Sequence, residues 1–161
     1  MVVAKKPRAP KEVKLQFTIK ELATAQKKLV NADNSVDDIE VLHMMSYLKP
    51  DERIAFVNEV YRVLKKGSKC QIVSPHWCSN RAYTDLRMHY PPIAEGWYYN
   101  FNKKMREQDP NYDKRYVCDF DFTCGYAMHP ALHPRNQEYQ QNAIQFWKEA
   151  AQDLATCLTK R

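Results

Sequence analysis

The pattern of apolar and polar residues predicts alternating strands and helices in the first half of the chain. Val13, Leu15 and Phe17 alternate with polar residues, as is typical of a short strand. Thr18 and Glu21 have the spacing of a capping box, and the apolar positions after them predict a helix from about residue 19 to residue 30. Residues 36–42 are rich in apolar side chains and predict a second strand.

A second helix is predicted to begin at Pro50, a residue that suits the first turn of a helix. Apolar residues recur along one face of this helix at Ile54, Val57, Tyr61 and Leu64. Lys65 and Lys66 favour its C-terminal end, and Gly67 is placed to cap it. Residues 70–73 then form a third predicted strand, and two strands joined through a helix by short connections predict a right-handed parallel crossover.

The second half of the chain has a weaker pattern. Between residues 76 and 134 the periodicity fades, which indicates irregular structure with short helices, such as one over 93–102. Residues 118–123 alternate between apolar and polar and predict another strand. Residues 134–161 carry an apolar stripe that predicts one long C-terminal helix packed on the core. The stripe consists of Tyr139, Ala143, Phe146, Trp147, Ala150, Leu154 and Leu158.

Composition favours one folded domain inside a cell. The chain has 161 residues, of which 44% are hydrophobic, so it can form a packed core. We expect a flexible basic tail at residues 1–12 and a single domain at 13–161. No N-terminal apolar run predicts a signal peptide or a membrane helix, and the five cysteines lack the spacing of a disulfide framework. The sequence therefore predicts a soluble, intracellular protein that does not enter the membrane.

The net charge of +6 admits two interpretations. A mildly basic surface can simply keep the protein soluble, or it can attract nucleic acid or another anion. A stacking surface for single-stranded nucleic acid could be formed by Trp77, Tyr83, Tyr90, Trp97 and Tyr98, although such dense aromatic residues also pack cores. The charge by itself does not decide between these interpretations.

Four segments resemble a known family when they are taken together. They read VDDIEVLHMMSYL, FVNEVYRVLKKGSKCQIVSPHW, RAYTDLRMHYPP and CDFDFTCGY. In this combination the chain resembles the class I S-adenosylmethionine (SAM)-dependent methyltransferases, and it is similar to small methyltransferase-like proteins common in bacteriophage genomes. The resemblance covers residues 35–161 and implies an α/β, Rossmann-like domain with a parallel sheet core. It also implies a transferase that uses SAM, with an unknown acceptor, and a location in the host cytoplasm if the chain is encoded by a phage.

The resemblance implies roles for residues in two loops. The loop after residues 36–42, with His43, would face the cofactor, and the loop after residues 70–73 would face the acceptor. In the acceptor loop, His76, Asp85 and His89 are the implied catalytic groups, because a histidine or carboxylate can remove a proton from an acceptor. The implied walls of the acceptor site are Pro75, Trp77, Tyr83, Tyr90 and Trp97.

The chain departs from the family on the cofactor side. Relatives approach the cofactor through a glycine-rich turn after the first strand, but the first glycine in this chain is Gly67. Residues 1–35 also offer no acidic residue that aligns with the family's ribose-binding position. We therefore expect an incomplete domain whose N-terminal, cofactor-binding half is missing or diverged. The alternative to an enzyme is a non-catalytic relic that binds a partner chain or nucleic acid, or that associates with itself.

Two further chemistries are weaker interpretations. Cys118, Cys124, His129 and His133 could be drawn as a zinc site, but the short cysteine spacing typical of such sites is missing, so no metal is predicted. Cys78 lies close to His76 in sequence and could act as a nucleophile, but the sequence identifies no third group that would orient the histidine.

Overall fold

The computed structural model describes residues 12–161, so the predicted basic tail lies almost wholly outside the described residues. Within that range the chain forms five strands, which are β1 Lys14–Phe17, β2 Val36–Leu42, β3 Leu64–Pro75, β4 Phe120–Met128 and β5 Ala151–Lys160. It forms the α-helices α1 Leu22–Ala25, α2 Pro50–Val63, α3 Glu95–Tyr98, α4 Lys103–Arg106 and α5 Gln137–Phe146. Single 3-10 turns occupy Ile19–Glu21, Met45–Tyr47, Asn80–Ala82, Tyr99–Phe101 and Pro130–Leu132.

The strands make one sheet in the order β1-β2-β3-β5-β4. The pairs β1–β2 and β2–β3 are parallel, which confirms the predicted parallel core. Strand β5 is antiparallel to both of its neighbours, so β4 runs in the same direction as β3. The carboxyl ends of β1, β2, β3 and β4 therefore lie beside the amino end of β5. This border of the sheet, formed by the ends of the strands, is called the carboxyl edge below.

The predicted strand–helix–strand unit forms, with a different junction between α2 and β3. The helix ends at Val63, so the prediction that it continues through Lys66 to a cap at Gly67 is wrong. Leu64 already pairs with Val36, and the next pair in register is Asp38 with Lys69. Gly67 lies in the bulge between these pairs, where its φ of +79° suits a glycine.

The N-terminal helix is much shorter than predicted. The capping box forms, since the Thr18 amide and hydroxyl both donate to the Glu21 carboxylate, at 2.8 and 2.6 Å. The helix that follows ends at Ala25, so the prediction that it extends to residue 30 is wrong. The Arg62 guanidinium and the Glu59 carboxylate bond to the backbone of the segment after it, at the Leu29 carbonyl and amide. Tertiary hydrogen bonds of this kind satisfy backbone groups that would otherwise bond within a helix, so the segment can be non-helical.

The C-terminal half of the predicted long helix is a strand. Helix α5 ends at Phe146, Glu149 adopts a φ of +64°, and β5 begins at Ala151. Residues Leu154, Thr156, Leu158 and Lys160 are buried at every second position. The prediction failed because Leu154 and Leu158 are four residues apart, a spacing that fits one face of a helix and also one face of a strand.

The core lies between the sheet and the segments packed on it. Helix α2 places Phe56 edge-on against Phe17 of β1, with ring centroids 5.1 Å apart. Further along the same helix Tyr61 packs in the same way on Phe120 of β4, at 5.2 Å. At the far end of the sheet, the buried Lys160 ammonium donates to the carbonyls of Tyr61 and Leu64. One helix therefore spans the sheet from β1 to β4.

Because β5 lies inside the sheet, we expect substitution of a buried residue of this strand to lower the stability of the fold strongly. Leu158 has no exposed surface, whereas Leu86 is 99% exposed. We expect Leu158→Ala to lower the free energy of unfolding by about 2–5 kcal/mol, because it leaves a cavity in the core. The matched substitution Leu86→Ala should change it by no more than about 0.5 kcal/mol. Urea unfolding followed by circular dichroism measures both, and equal effects would contradict the placement of β5.

Candidate acceptor site

The loops that follow β2 and β3 lie side by side at the carboxyl edge. Two backbone hydrogen bonds join these parts of the chain: the His43 amide donates to the Val73 carbonyl and the His89 amide to the Ser46 carbonyl, both at 2.8 Å. Ligands of open parallel sheets bind outside the carboxyl ends of the strands. The two loops are therefore the natural place to look for a binding site.

The side chain of Arg53 fastens the two loops together. It projects from α2, is only 3% exposed, and donates to backbone carbonyls of both loops. In the loop after β2 it bonds to Met45, Ser46 and Leu48, at 3.0, 3.4 and 3.0 Å. In the loop after β3 it bonds to His89 and Pro91, each at 2.6 Å. Burial lowers the pKa of Arg53 to about 10, so the guanidinium remains charged at neutral pH.

Four of the predicted acceptor-side residues line one shallow cavity of about 210 Å³, which is called the acceptor cavity below. They are Tyr83, Asp85, His89 and Tyr90. Tyr90 is 84% exposed, and the Tyr83 hydroxyl donates to the Trp77 carbonyl at 2.8 Å. The structure thus brings half of the predicted catalytic and substrate-binding set of eight residues to one surface depression.

The carboxylate of Asp85 bonds to two side chains of the same chain. Arg87 makes a two-pronged ion pair with it, with the shortest contact at 2.6 Å, and the Tyr47 hydroxyl donates to it at 2.9 Å. The Arg87 hydrogen bond is the main reason that the pKa of Asp85 lies far below its usual range. An ionised carboxylate with these partners is a poor proton acceptor, so Asp85 is arranged to position Tyr47 and Arg87.

His76 lies at the end of β3 and is fully buried. Its Nε2 atom is 3.0 Å from a Glu95 carboxylate oxygen, and its Nδ1 atom is 2.9 Å from the Cys78 sulfur. The hydrogen bond from His76 lowers the pKa of Glu95 to about 2, and the Tyr126 hydroxyl beside the carboxylate adds to this effect. Both ring nitrogens of His76 therefore have partners within the chain.

The remaining predicted residues have different surroundings. Pro75 is buried as the last residue of β3, and Trp77 is 37% exposed. Trp97 packs on the core, where its indole nitrogen donates to the Tyr116 hydroxyl at 2.8 Å. Trp97 does not line the acceptor cavity.

His43, the predicted cofactor-side residue, follows β2 with a φ of +55°. Its Nδ1 atom lies 3.8 Å from an oxygen of Asp153, too far for a hydrogen bond. Neither of these two buried atoms has a hydrogen-bond partner within residues 12–161. The other Asp153 oxygen accepts from Arg81 at 2.8 Å, so these three side chains form a polar group at the carboxyl edge.

Sequence reasoning missed three residues that organise this edge. Arg53 is one position away from the apolar stripe of its helix, where it looks like a solvent-facing charge. Glu95 is 19 residues from His76 in sequence, and Asp153 lies in a segment predicted to be helical. No local pattern marks these contacts, because each depends on the tertiary fold.

Comparisons with solved structures identify the fold of this chain. No family model and no curated protein matches the chain. Among solved structures, a SAM-dependent methyltransferase from Archaeoglobus fulgidus aligns over 88% of this chain with a TM-score of 0.56 and 16% identity. The methyltransferase of Haloferax volcanii, solved in complex with the Trm112 methyltransferase activator, aligns over 84% with a TM-score of 0.51 and 12% identity.

The chain has a class I methyltransferase fold. It spans 64% and 58% of the lengths of these two structures. This methyltransferase fold confirms the predicted α/β, Rossmann-like class. The predicted similarity to bacteriophage proteins stays a prediction.

Within residues 12–161 no helix combines the length and apolar character needed to cross a bilayer. In the same range, no three histidine, cysteine, aspartate or glutamate side chains come together as metal ligands.

The described residues do not fit SAM. The turn after β1, where the fold brings backbone against the cofactor, is filled by the Thr18–Glu21 capping box. No glycine precedes Gly67, so the backbone there carries side chains that prevent close approach. On its other side β1 has no neighbouring strand among the described residues, so no acidic strand end is present there to hold a ribose.

We expect the site to depend on Arg53 more than on any surface ion pair. Arg53→Met should lower the free energy of unfolding by about 3 kcal/mol or more, since it leaves buried carbonyls without donors. Arg53→Lys should recover little of this loss, because an ammonium cannot reproduce the planar fork of donors. The matched control is Arg115→Met, which removes an exposed ion pair with Asp113 and should have a much smaller effect. Chemical denaturation of the three variants tests this ranking.

The low pKa of Glu95 predicts a pH-dependent contribution to stability. A carboxylate whose pKa is lower in the folded state stabilises fully above its unfolded pKa of about 4.3, and this contribution is lost as the pH falls towards the folded value. The difference in unfolding free energy between the wild type and Glu95→Gln should therefore be largest near neutral pH and shrink between about pH 4 and pH 2. Urea titrations across this range measure the difference, with Glu107→Gln as an exposed control. A difference that stays constant with pH would contradict the His76–Glu95 pairing.

Proposed function

We propose that the chain is a methyltransferase-like protein that binds an acceptor molecule in the acceptor cavity. We further propose that it transfers a methyl group from SAM only when a second chain supplies the cofactor platform. The observation that carries the proposal is the loop arrangement at the carboxyl edge. Arg53 fixes the loops after β2 and β3 against each other, and Tyr83, Asp85, His89 and Tyr90 line the cavity beside them.

The acceptor cavity supports binding with little rearrangement. Its walls rest on backbone that Arg53 holds from the buried side, so the geometry is set before a ligand arrives. Tyr90 offers an exposed ring, and His89 and Asp85 are half-buried side chains in this cavity. Methyl transfer depends mainly on positioning, and a base is needed only where the acceptor must lose a proton.

The misfit with SAM supports the proposal that a second chain takes part. The capping box after β1 and the missing glycine turn leave the described residues without a cofactor platform. Strand β1 is the edge of the sheet within the described range, and an edge strand can pair with a strand of another chain. The partner in this proposal is either another protein or a second copy of the same chain.

A second candidate function is a non-catalytic binding module. This alternative is favoured by the state of the predicted catalytic groups: both nitrogens of His76 have partners, and Asp85 is tied to Arg87 and Tyr47. The net charge of +6 and the exposed rings of Trp77, Tyr83 and Tyr90 suit a single-stranded nucleic acid as its ligand.

Calorimetric titration of the purified chain with SAM and with S-adenosylhomocysteine tests the cofactor part of the proposal. We expect no binding heat and no rise in melting temperature at millimolar ligand, because a ligand that binds the folded state must stabilise it. Binding by the isolated chain would overturn the requirement for a second chain. Light scattering after size exclusion tests self-pairing, and a strict monomer at high concentration would leave only a different protein as the partner.

A fluorescence titration with a single-stranded oligonucleotide separates the two candidates. The nucleic-acid module predicts quenching that weakens with added salt and with Tyr90→Ala. Tyr139→Ala, at a tyrosine that is 36% exposed and lies outside the acceptor cavity, is the control and should bind as the wild type does. No quenching, or quenching that is equal in both variants, would count against the nucleic-acid module.

A further inference from the structure

A second cavity, of about 370 Å³, adjoins the acceptor cavity and shares Tyr83 with it. It is called the aromatic groove below, and it is lined by Trp77, Cys78, Tyr83, Phe146, Trp147 and Lys148. Phe146 is 76% exposed and Trp147 48% exposed, so large apolar rings of the lining face solvent. Cys78, which is 3% exposed, belongs to the same lining. The groove therefore combines aromatic rings that can contact a planar ligand with a buried sulfur atom.

The sulfur of Cys78 belongs to a chain of three polar side chains. It lies 2.9 Å from Nδ1 of His76, whose Nε2 lies 3.0 Å from a Glu95 oxygen. The lowered pKa of Glu95 keeps that carboxylate ionised, so it accepts a hydrogen bond from Nε2–H. With the ring proton on Nε2, the lone pair of Nδ1 faces the thiol at 2.9 Å and also accepts from the Cys78 amide at 3.4 Å. This is the order of groups that activates a nucleophile: a thiol, a base, and a third group that orients the base.

The other cysteines have different surroundings. Burial raises the pKa of the Cys70 thiol, and it raises that of Cys118 to about 12. The sulfur of Cys124 contacts the Thr156 hydroxyl at 3.5 Å. Of the sulfur contacts within residues 12–161, only the one at Cys78 is with an imidazole, and the Ala151 amide also donates to this sulfur, at 3.5 Å. Cys78 therefore differs from a merely packed thiol.

We propose that Cys78 is a nucleophilic thiol, with His76 as its base and Glu95 as the positioning residue, that reacts with an electrophilic carbon of an aromatic molecule seated in the aromatic groove. In this step the thiol proton moves to Nδ1 of His76, and the sulfur forms a bond to the electrophilic carbon. The leaving group departs with the electron pair of the bond that breaks. With an ester or thioester, the protonated His76 then returns the proton to the leaving group.

Competitive alkylation of the folded protein tests this site. The probes are iodoacetamide and its aromatic analogue iodoacetanilide, and peptide mass spectrometry gives the rate at each of the five cysteines. With either probe the leaving group is iodide, and the imidazolium loses its proton to the buffer. Although Cys124 is more exposed, we expect Cys78 to react at least about tenfold faster, because a base assists its ionisation. The advantage should be larger with the aromatic probe.

Three variants separate activation from simple exposure. Glu95→Gln should slow Cys78 about tenfold and leave the rate at the partly exposed Cys157 unchanged, and Glu95→Asp should recover part of the rate. Trp147→Ala should lower the Cys78 rate with iodoacetanilide more than the rate with iodoacetamide, and so reduce the preference for the aromatic probe. If Glu95→Gln unfolds the protein, as circular dichroism would reveal, the Trp147→Ala comparison and the wild-type rates still test the site. Slower labelling of Cys78 than of Cys124 in the native wild type, or no aromatic preference, would overturn the proposal.

Discussion

The guanidinium of Arg53 lies between the loop that follows β2 and the loop that follows β3. Within residues 12–161 it donates to five carbonyls and to no carboxylate. A buried charge is tolerated when its hydrogen-bonding capacity is met, and here carbonyl dipoles from both loops meet it. Because the same carbonyls would be buried without donors in its absence, the side chain and the loops depend on each other. The shape of the acceptor cavity is thus set from the core outwards.

The same arrangement separates two kinds of polar residue at the carboxyl edge. Groups near the sheet, such as His76 and Glu95, are paired with each other within the chain. Groups further out, such as Tyr90, rest on the fixed backbone with their rings exposed. Pre-formed sites gain affinity because little conformational entropy is lost on binding. The edge is therefore better suited to hold a ligand than to take a proton from it directly, except where Cys78 meets the imidazole.

The sequence was sufficient where local rules act alone. It predicted β2 at its observed bounds, the Thr18–Glu21 capping box and the start of α2 at Pro50, since each depends on neighbours within a few residues. It failed where distant contacts override local preference, as in the segment after Ala25. For the site, it placed the acceptor residues mainly in the loop after β3, where four of them line one cavity, and their roles stay predictions. It could not identify Arg53 or Glu95, because their partners are brought together only by the tertiary fold.

The error in the C-terminal segment has a functional consequence. As a helix, residues 151–160 would pack on a face of the sheet and bring nothing to the carboxyl edge. As an antiparallel strand between β3 and β4, they deliver their amino end to that edge. There the Gln152 carbonyl accepts from the His76 amide, the Ala151 amide donates to the Cys78 sulfur, and Asp153 meets Arg81. The direction of β5 therefore places the groups that surround the thiol, and both the candidate acceptor site and the aromatic groove depend on it.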